Sequence, residues 1–388
     1  MYNSASRRDD AINAAFGLLT VDRSLPLLCI ARRPAGRQRD AWRLAKECMM
    51  SVSTLAFPAI GDSGFASPPP VAAAPPAPLT SPETVTDCYD VLDMCRSCGI
   101  TDFTDGKYVA GEGDDRASYL AAQQRQADFL LDQIDCRRRS RVLDIGCGYG
   151  RILASAGSRG ADAQGITLSP PQLRDCRRRG LAVYLCNYRE LFANGGYDRW
   201  AHAYDGIVAN GSLEHFVQTE DAAAGRADEI YREFFAICRR LLKPDGKLAT
   251  TAIHARRVGQ INPRDLVSGP QALPTGSEVY HAANLHRSFG GWYPEPGQLE
   301  RCAAGFFELT AAEDGTDDYL RTSEYWVRQI KRSLIASPPA WAASIAAFAR
   351  RPRAAWNMLR CLLWDQSWNY QFRNPAPAQL WRHTWRAL

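Results

Sequence analysis

The chain has 388 residues, of which 46% are hydrophobic and 23% are charged, and its net charge is +5. This composition is that of a globular protein with a sizeable apolar core, and no apolar run is long enough to span a bilayer. The mild positive charge is compatible with an anionic partner such as a phospholipid surface without requiring one. The twelve cysteines are scattered and no secretory signal is visible, which predicts reduced thiols in a cytoplasmic protein, with peripheral membrane contact left open.

The first 85 residues are predicted to form no folded core. An arginine-rich stretch, RRPAGRQRDAWR (32–43), is followed by ASPPPVAAAPPAPLTSP (66–82), where dense proline removes the backbone donors that helices and sheets need. We interpret residues 1–85 as a disordered arm with a proline- and alanine-rich linker. Just beyond it, Cys95 and Cys98 have the spacing of half a zinc site, but no second pair lies nearby, so no metal is expected.

Residues 86–388 are predicted to form one domain, which begins with a helical cover (86–140) that includes a helix at 118–134. Strands and helices then alternate through a core at 141–254. This alternation predicts a doubly wound, mostly parallel α/β sheet with helices on both faces. The predicted strands are 141–146, 162–167, 182–187, 204–211 and 247–253, and the predicted helices are 148–160, 169–180 and 228–246.

The last part of the domain, 255–388, is predicted to be less regular. The pattern breaks after residue 254 until a strand at 306–314, a helix at 322–335 and a last strand at 379–385. We expect the segment 255–302 to cover the carboxyl ends of the strands. This region is aromatic, which fits either an apolar acceptor pocket or a packed core. Its aromatic residues are Phe289, Trp292, Tyr293, Phe306 and Phe307.

The stretch RVLDIGCGYG (141–150) places three glycines at alternate positions after an apolar strand. Gly146, Gly148 and Gly150 allow the backbone to turn sharply and to approach a ligand closely at the strand end. A dinucleotide site needs its third glycine where this chain has Arg151, and Asp144 would repel a pyrophosphate. Because an acid there suits an ammonium group, the pattern predicts a cationic cofactor without phosphates. S-adenosylmethionine meets that requirement.

VLDIGCGYG (142–150) resembles the cofactor motif of class I S-adenosylmethionine-dependent methyltransferases. GITLSPPQL (165–173) narrows the resemblance, because Thr167, Ser169 and Gln172 match the Thr-x-Ser-x-x-Gln of cyclopropane-fatty-acyl-phospholipid synthases and mycolic acid methyltransferases. The resemblance runs from about residue 103 to the end of the chain. It implies a Rossmann-like fold with helical additions and S-adenosylmethionine as the cofactor.

Three further segments carry site residues that the resemblance implies. CNYRE (186–190) resembles the family's stretch beside the adenine, with Asn187 in place of an acid and Tyr188 after it. NGSLEHF (210–216) resembles the segment after the fourth strand and implies Asn210 at the cofactor and Glu214 at the acceptor. DDYLRTSEYW (317–326) resembles the segment that supplies an active-site tyrosine, here Tyr319.

The resemblance also implies a reaction. In that family the methyl group goes to an alkene of a lipid acyl chain, and loss of a proton from the resulting carbocation closes a cyclopropane. Glu214 would then hold the base or act electrostatically, and Tyr319 would offer its hydroxyl or its ring face to the cation. His215 is interpreted as a structural histidine. An unsaturated acyl lipid or a similar apolar acceptor is therefore expected.

The chain departs from the family at two positions. Gly106 stands at the position of the family's cysteine, before the first strand, and Thr251 stands where the fifth strand carries a histidine. Both family residues help to bind the bicarbonate that acts as base, so their replacement favours plain methyl transfer over ring closure. His254 lies three residues further on, and strand alternation points it to the face opposite Thr251.

Two alternatives stay open. One is a methyltransferase that acts on O, N or C of a specialised small metabolite, and the other is a protein of this fold that binds its ligand without turnover. Nucleic acid is not expected as a partner, because the arginine clusters at 137–139 and 177–179 have no interleaved aromatic residues. The sequence does not specify an oligomeric state.

Overall fold

The computed structural model describes residues 83–195, 200–267 and 269–388. The predicted arm and linker lie, up to residue 82, outside the described residues. In the described part of the chain, seven strands form one sheet in the order β3–β2–β1–β4–β5–β7–β6. The strands are β1 (Arg141–Ile145), β2 (Asp162–Thr167), β3 (Ala182–Leu185), β4 (Tyr204–Asn210), β5 (Leu242–Ala255), β6 (Phe307–Asp314) and β7 (Ala378–Ala387).

The sheet is mostly parallel. The first five strands run parallel to one another, and β7 lies antiparallel between β5 and β6. The predicted doubly wound α/β fold is therefore confirmed. From β1 the chain adds β2 and β3 on one side, and it then returns to place β4 on the other side. The strand order reverses between β1 and β4, and open α/β sheets bind ligands beyond the carboxyl ends of the strands at such a point.

Helices connect the strands, and several begin at side-chain caps. Ser169 accepts a hydrogen bond from the Gln172 amide and precedes Pro170 at the first position of its helix. Asp115 accepts a hydrogen bond from the Ser118 amide in the same way. The helices are α1 (Glu83–Leu92), α2 (Arg116–Gln133), α3 (Arg151–Ser158), α4 (Pro170–Arg178), α5 (Thr219–Ala223), α6 (Ala227–Leu241), α7 (Pro263–Val267), α8 (Glu278–Phe289), α9 (Gln298–Ala303), α10 (Thr316–Ala336), α11 (Pro338–Arg350), α12 (Pro352–Leu359) and α13 (Ser367–Tyr370).

The structure corrects some predicted boundaries. Helix α6 ends at Leu241 rather than at residue 246, and Leu242 is already extended, with ψ of 144°. Pro244 accounts for this end, because a proline disfavours helical backbone before it. The segment 255–302, predicted to be irregular, contains α7, α8 and α9. Helix α10 begins at Thr316, six residues before the predicted helix start at 322.

Two large hydrophobic clusters stabilise the fold. The first packs α6 against the sheet through side chains such as Phe235 and Trp385, and it includes Phe306 and Phe307. The second joins α1, α10, α11 and α12 and contains Trp326, together with the buried thiols Cys88, Cys95 and Cys98. No helix in the described residues combines the length and apolarity that crossing a membrane requires. No cluster of three or more potential metal ligands occurs among the described side chains.

Candidate cofactor and acceptor site

A cavity of about 310 Å³ opens at the carboxyl ends of β1, β2 and β4, at the point where the strand order reverses. Its volume falls at the lower end of the range usual for small-ligand sites. One end is formed by the strand ends and the glycine turn after β1. The other end is lined by aromatic side chains of α8, α10 and α13 and the segment after α8.

Asp144 lies near the end of β1, in the first of these regions. Its side chain is buried, and neither carboxylate oxygen has a hydrogen-bond partner among the described residues. Burial raises the pKa of Asp144 to about 8, with a smaller contribution from Cys176. A buried carboxylate without a partner is costly unless a ligand supplies the opposite charge. The site therefore fits a ligand that carries a cation.

The glycine turn brings main chain to the same place. Gly146 and Gly148 line the cavity with φ of +83° and +53°, a backbone conformation that favours glycine. A Cβ on Gly146 would lie 2.8 Å from Cβ of Ser212, whose hydroxyl donates to the Ile145 carbonyl at 3.0 Å. Gly150 is different: it does not line the cavity, and a Cβ there would meet Leu181 at 2.5 Å. A φ of +76° and close packing, rather than the approach of a ligand, explain why a glycine occupies position 150.

The side chains predicted after β2 form one hydrogen-bonded group in the cavity wall. The Thr167 hydroxyl donates to Oε1 of Gln172 at 2.7 Å and accepts from the Ser169 amide at 3.1 Å. The Ser169 hydroxyl in turn accepts from the Gln172 amide. Because Oε1 of Gln172 is occupied, its side-chain nitrogen is the end left to donate to a ligand.

The predicted residues after β3 and β4 also line the cavity. Asn187 Oδ1 accepts from the Arg189 amide at 3.1 Å, which fixes the turn after β3. The Tyr188 ring packs on Phe216 with centroids 4.4 Å apart, and its buried hydroxyl has no hydrogen-bond partner among the described residues. Asn210 Oδ1 accepts from the Thr251 hydroxyl at 2.9 Å. These side chains enclose the cofactor end of the cavity.

Glu214 is the central charged group of the other end. It follows β4 in a short 3₁₀ turn, its side chain is buried, and Oε2 has no hydrogen-bond partner among the described residues. Burial, together with repulsion from Asp105, raises the pKa of Glu214 to about 8. Tyrosine rings lie close to this carboxyl. Burial and then the Glu214 charge raise the pKa values of Tyr293 and Tyr319, and burial, Cys88 and Glu214 together raise the pKa of Tyr89.

Tyr319, on the first turn of α10, lines the cavity next to Glu214. Its ring meets Phe372 edge to face, with centroids 4.5 Å apart. The hydroxyls of Tyr89 and Tyr293 are used by the fold, because they hydrogen-bond His215 at 3.2 Å and Gln371 at 2.7 Å. Among the described residues, the structure records no hydrogen bond for the Tyr319 hydroxyl. The Tyr319 hydroxyl is thus free to contact a bound acceptor.

The structure also places His215 and three positions that concern the departures from the family: Thr251, His254 and Gly106. Burial lowers the pKa of His215 to about 4, so this histidine is neutral at physiological pH. Thr251 lines the cavity, whereas His254 lies on the opposite face of β5 against His383, with ring centroids 5.5 Å apart. A side chain at Gly106 would clash, because an added Cβ lies 2.9 Å from Cβ of Ala122.

The segment before α2 lines the cavity with Asp102, Phe103, Thr104 and Asp105, but not with Gly106. Sequence reasoning missed Asp105 because it selected the neighbouring glycine, and Tyr89 because helix α1 was not assigned a role. Of the aromatic residues expected over the strand ends, Phe289, Trp292 and Tyr293 line the cavity, whereas Phe306 and Phe307 belong to the core.

Comparison with known proteins finds several similar chains. Tuberculostearic acid methyltransferase UfaA1 of Mycobacterium tuberculosis is 32% identical over 141 residues, which is 34% of this chain and 29% of that protein. Cyclopropane mycolic acid synthase 3 of the same organism is 25% identical over 215 residues, 54% of this chain and 69% of that protein. The matched region thus spans less than a third of the length of UfaA1.

Solved structures share the fold. The cyclopropane synthase MmaA2 of Mycobacterium tuberculosis superposes with a TM-score of 0.57 at 20% identity, covering 78% of this chain and 97% of that one. Mycolic acid cyclopropane synthase CmaA1, solved with SAH and CTAB, gives the same TM-score, identity and coverage. The family described as mycolic acid cyclopropane synthetase matches residues 101–336. Since this match spans more than half of the chain, the protein belongs to that family of class I S-adenosylmethionine-dependent methyltransferases.

Proposed function

We propose that this protein transfers a methyl or methylene group from S-adenosylmethionine to an alkene in the acyl chain of a lipid. The observation that carries the proposal is the Glu214 carboxyl, which is buried among tyrosine rings at the aromatic end of the cavity. An apolar, aromatic wall suits an acyl chain. A carboxyl and ring faces within that wall suit a positive charge that develops on the chain during the reaction.

At the other end of the cavity, the roles follow from the contacts described above. Asp144 is proposed to pair with the ammonium group of the cofactor, and the main chain of Gly146 and Gly148 to pass close beside it. Gln172, held by Thr167 and Ser169, donates to the ribose, and the turn at Asn187 and Tyr188 flanks the adenine. S-adenosylmethionine bound there supplies an activated methyl group. These residues orient that group toward the acceptor, which is the main contribution that the protein makes to such a transfer.

The names of the relatives support a lipid acceptor. Tuberculostearic acid and mycolic acids are acyl lipids, and proteins named for acting on them are similar to this chain. The cavity adds independent support, because its aromatic end presents rings such as Phe289 and Trp292 and the aliphatic side chain of Leu285, beside fewer polar groups such as His281 and Gln371. A polar small metabolite would leave much of this wall without a matching contact.

Mass spectrometry of lipids tests the proposal. The purified chain is incubated with S-adenosylmethionine carrying a labelled methyl group and with phospholipids that have monounsaturated acyl chains. We expect a labelled product heavier by one CH₂ unit, with fragmentation locating it at the former double bond. Glu214→Gln should keep cofactor affinity and lose most of the product. Label found only in a polar small molecule would instead support the alternative methyltransferase of specialised metabolism.

The helices after α10 suggest how such a lipid is reached. Five large apolar side chains on α10, α11, α12 and the turn after α12 are exposed, and we call this set the tryptophan face: Ile335, Trp341, Ile345, Trp356 and Trp364. Between Lys331 and Trp364 the chain has six basic residues and no acidic one. Exposed tryptophans beside basic residues suit the interface of an anionic bilayer. We propose that the tryptophan face contacts such a membrane.

Helix α12, which carries Trp356 of the tryptophan face, is separated from the cavity by helix α8. Helix α12 packs on α8, where the Ser288 hydroxyl donates to the Asn357 carbonyl at 3.3 Å and Arg360 donates to the Tyr280 hydroxyl at 3.1 Å. The other side of α8 presents Leu285 and Phe289 to the cavity. A membrane docked on the tryptophan face would therefore lie next to the helix that covers the acceptor.

Vesicle sedimentation tests this contact. The chain should bind vesicles that contain phosphatidylglycerol and should bind vesicles of phosphatidylcholine alone more weakly. Replacing Trp341, Trp356 and Trp364 together by serine should reduce binding at least tenfold. A control that replaces the exposed Val109 and Leu185 by serine removes apolar surface elsewhere and should bind normally. Equal binding by both variants would contradict the proposed contact.

A further inference from the structure

Asp105 is a second buried carboxyl at the acceptor end of the cavity. Its side chain is 4% exposed and lines the same cavity as Glu214 and Tyr319. The next residue, Gly106, is fixed by two contacts that turn it away: its amide donates to the Thr322 hydroxyl at 2.9 Å, and its carbonyl accepts from Arg382 at 3.0 Å. The backbone around Asp105 is thus held so that its carboxyl faces the cavity.

The buried Arg382 side chain positions this carboxyl without fully neutralising it. The guanidinium lies 3.4 Å from Asp105, but it also donates to Asp318 at 2.9 Å and to Glu313 at 3.0 Å. Its Nε donates to Gln126 at 2.8 Å. One arginine therefore serves three carboxylates, and Asp105 has the longest of the three contacts. A carboxylate held in this way remains basic enough to accept a proton.

The surroundings of Asp105 and Glu214 make the two carboxyls ionise at different pH. Burial raises the pKa of Asp105 to about 6, Arg382 and the Asn210 side chain oppose the shift, and Asp318 adds to it. The pKa of Glu214 lies higher, at about 8, in part because Asp105 is charged. Close to neutral pH, Asp105 is therefore the ionised member of the pair and Glu214 is mostly protonated.

We propose that Asp105 is the base of the acceptor site, and that it takes the proton which the methylated acyl chain must lose. This inference rests on the proposed function, alkene methylation. After methylation the acyl chain of the lipid carries a carbocation. A C–H bond of the cation breaks, its proton goes to a carboxylate oxygen of Asp105, and its electron pair moves to the cationic carbon.

The origin of the proton decides the product. If the proton leaves the transferred methyl group, a new C–C bond forms and closes a cyclopropane. Loss from a neighbouring chain carbon forms a new double bond and leaves a methyl branch. Either route consumes the negative charge of Asp105 and needs no oxidant or reductant. This protein has Thr251 and Gly106 in place of the family's bicarbonate-binding histidine and cysteine. Their replacement does not prevent proton removal, because a carboxylate of the protein already lies in the cavity.

The pH dependence of turnover on a monounsaturated phospholipid tests the proposal. The groups that face Asp105 are Arg382 on β7, Asp318 and Tyr319 on α10, and Asn210 and Glu214 at the end of β4. For the unaltered chain, kcat/KM should fall about tenfold per pH unit below about pH 6. Asp105→Asn should lower kcat about 100-fold or more and remove this acid limb, with cofactor affinity unchanged.

Asp318→Asn is the matched control. Asp318 shares the Arg382 guanidinium with Asp105 but does not line the cavity. If the acid limb comes from Asp105, Asp318→Asn keeps it, at a slightly lower pH. The proposal is wrong if Asp105→Asn keeps both the fall in kcat/KM at acid pH and the ratio of cyclopropane to methyl-branched product that the unaltered protein gives. Failure of the unaltered chain to methylate any lipid would count against the proposed function instead.

A binding measurement tests the charge of Asp105 without turnover. Hexadecyltrimethylammonium is a long-chain cation that resembles a positively charged acyl chain. Calorimetry on the full chain saturated with S-adenosylhomocysteine should show its affinity falling as the pH drops through about 6. Asp105→Asn should weaken binding at pH 7 about tenfold and abolish this pH dependence. Binding that Asp105→Asn leaves unaltered at both pH values would overturn the inference.

Discussion

At the scale of the residue, the cavity contains two buried carboxyl groups that lack full hydrogen bonding. Asp144 and Glu214 lie at opposite ends of one cavity, and each has a carboxylate oxygen without a partner among the described residues. Burial raises both pKa values to about 8. The folded chain therefore keeps two groups whose charge becomes favourable only when a cation arrives. In the proposed function, the cofactor would bring one such cation and the methylated acceptor would form the other.

Asp144→Asn should change two measurable quantities: the pH dependence of the free energy of unfolding and the affinity for the cofactor. The unfolded chain loses the Asp144 proton near pH 4, whereas the folded chain without ligand keeps it to about pH 8. Between these values the free energy of unfolding should fall as pH rises, and Asp144→Asn should reduce that fall. Cofactor affinity should drop about 100-fold, as expected for loss of a buried charge pair worth about 3 kcal/mol. Denaturant titrations and calorimetry measure the two effects, and an unchanged affinity would contradict the role given to Asp144.

Gly291→Ala should displace Glu214. Gly291 has φ of +86°, and a Cβ there would lie 2.0 Å from the Glu214 carbonyl oxygen, so the main chain that holds the acid must move. We expect turnover to fall at least tenfold while cofactor affinity is kept. Gly276→Ala is the control, since Gly276 has φ of +79° with no atom within 4 Å of an added Cβ. It should show only the backbone strain of about 1–2 kcal/mol.

At the scale of the element, strand β7 carries the arginine that connects the sheet to the segment with Asp105. Arg382 on this strand contacts β6, α2, α10 and the segment that carries Asp105. Its side chain is 1% exposed, and it supplies the opposite charge for the buried Asp105 and for Asp318, whereas Glu313 also pairs with Lys107. The last strand thus does more than complete the sheet, because it determines where the acceptor-site carboxyl lies.

Arg382→Met should be strongly destabilising. Removing one partner of a buried ion pair leaves its acids uncompensated, and the expected loss in the free energy of unfolding is about 3–5 kcal/mol. Arg386→Met is a control on the same strand, where an exposed arginine pairs with the exposed Glu308. Its effect should stay within about 0.5 kcal/mol. Urea unfolding of both variants provides the comparison, and equal losses would contradict the buried network.

Elements with local signals could be predicted from the sequence. The strands around the glycine turn and the helix capped by Ser169 follow from short-range patterns, and the structure has them. Helix α8 was not predicted although Ser277 caps it, because much of its packing is against residues distant in the sequence, such as Trp368. Asp105 was missed for a related reason. Whether Asp105 or Gly106 faces the cavity depends on Arg382, which lies far away in the sequence.

At the scale of the whole molecule, the cavity should couple ligand binding to global stability. A ligand that binds only the folded chain stabilises it by about 2.7 kcal/mol at 100 times its Kd. S-adenosylhomocysteine should therefore raise the melting temperature by several degrees, whereas NAD should not, because Asp144 disfavours a pyrophosphate. Differential scanning calorimetry with both ligands checks this. Stabilisation by NAD alone would contradict the cofactor assignment.

Helix α1 has a practical consequence for work on this chain. The helix precedes the segment 101–336 that defines the family, yet Val85, Tyr89 and Leu92 line the cavity, and the Tyr89 hydroxyl contacts His215 beside Glu214. A recombinant fragment trimmed to the family boundaries would have a gap in its cavity wall. Its inactivity would then reflect where the gene was cut rather than the chemistry of the enzyme. Expression vectors should therefore begin upstream of Glu83.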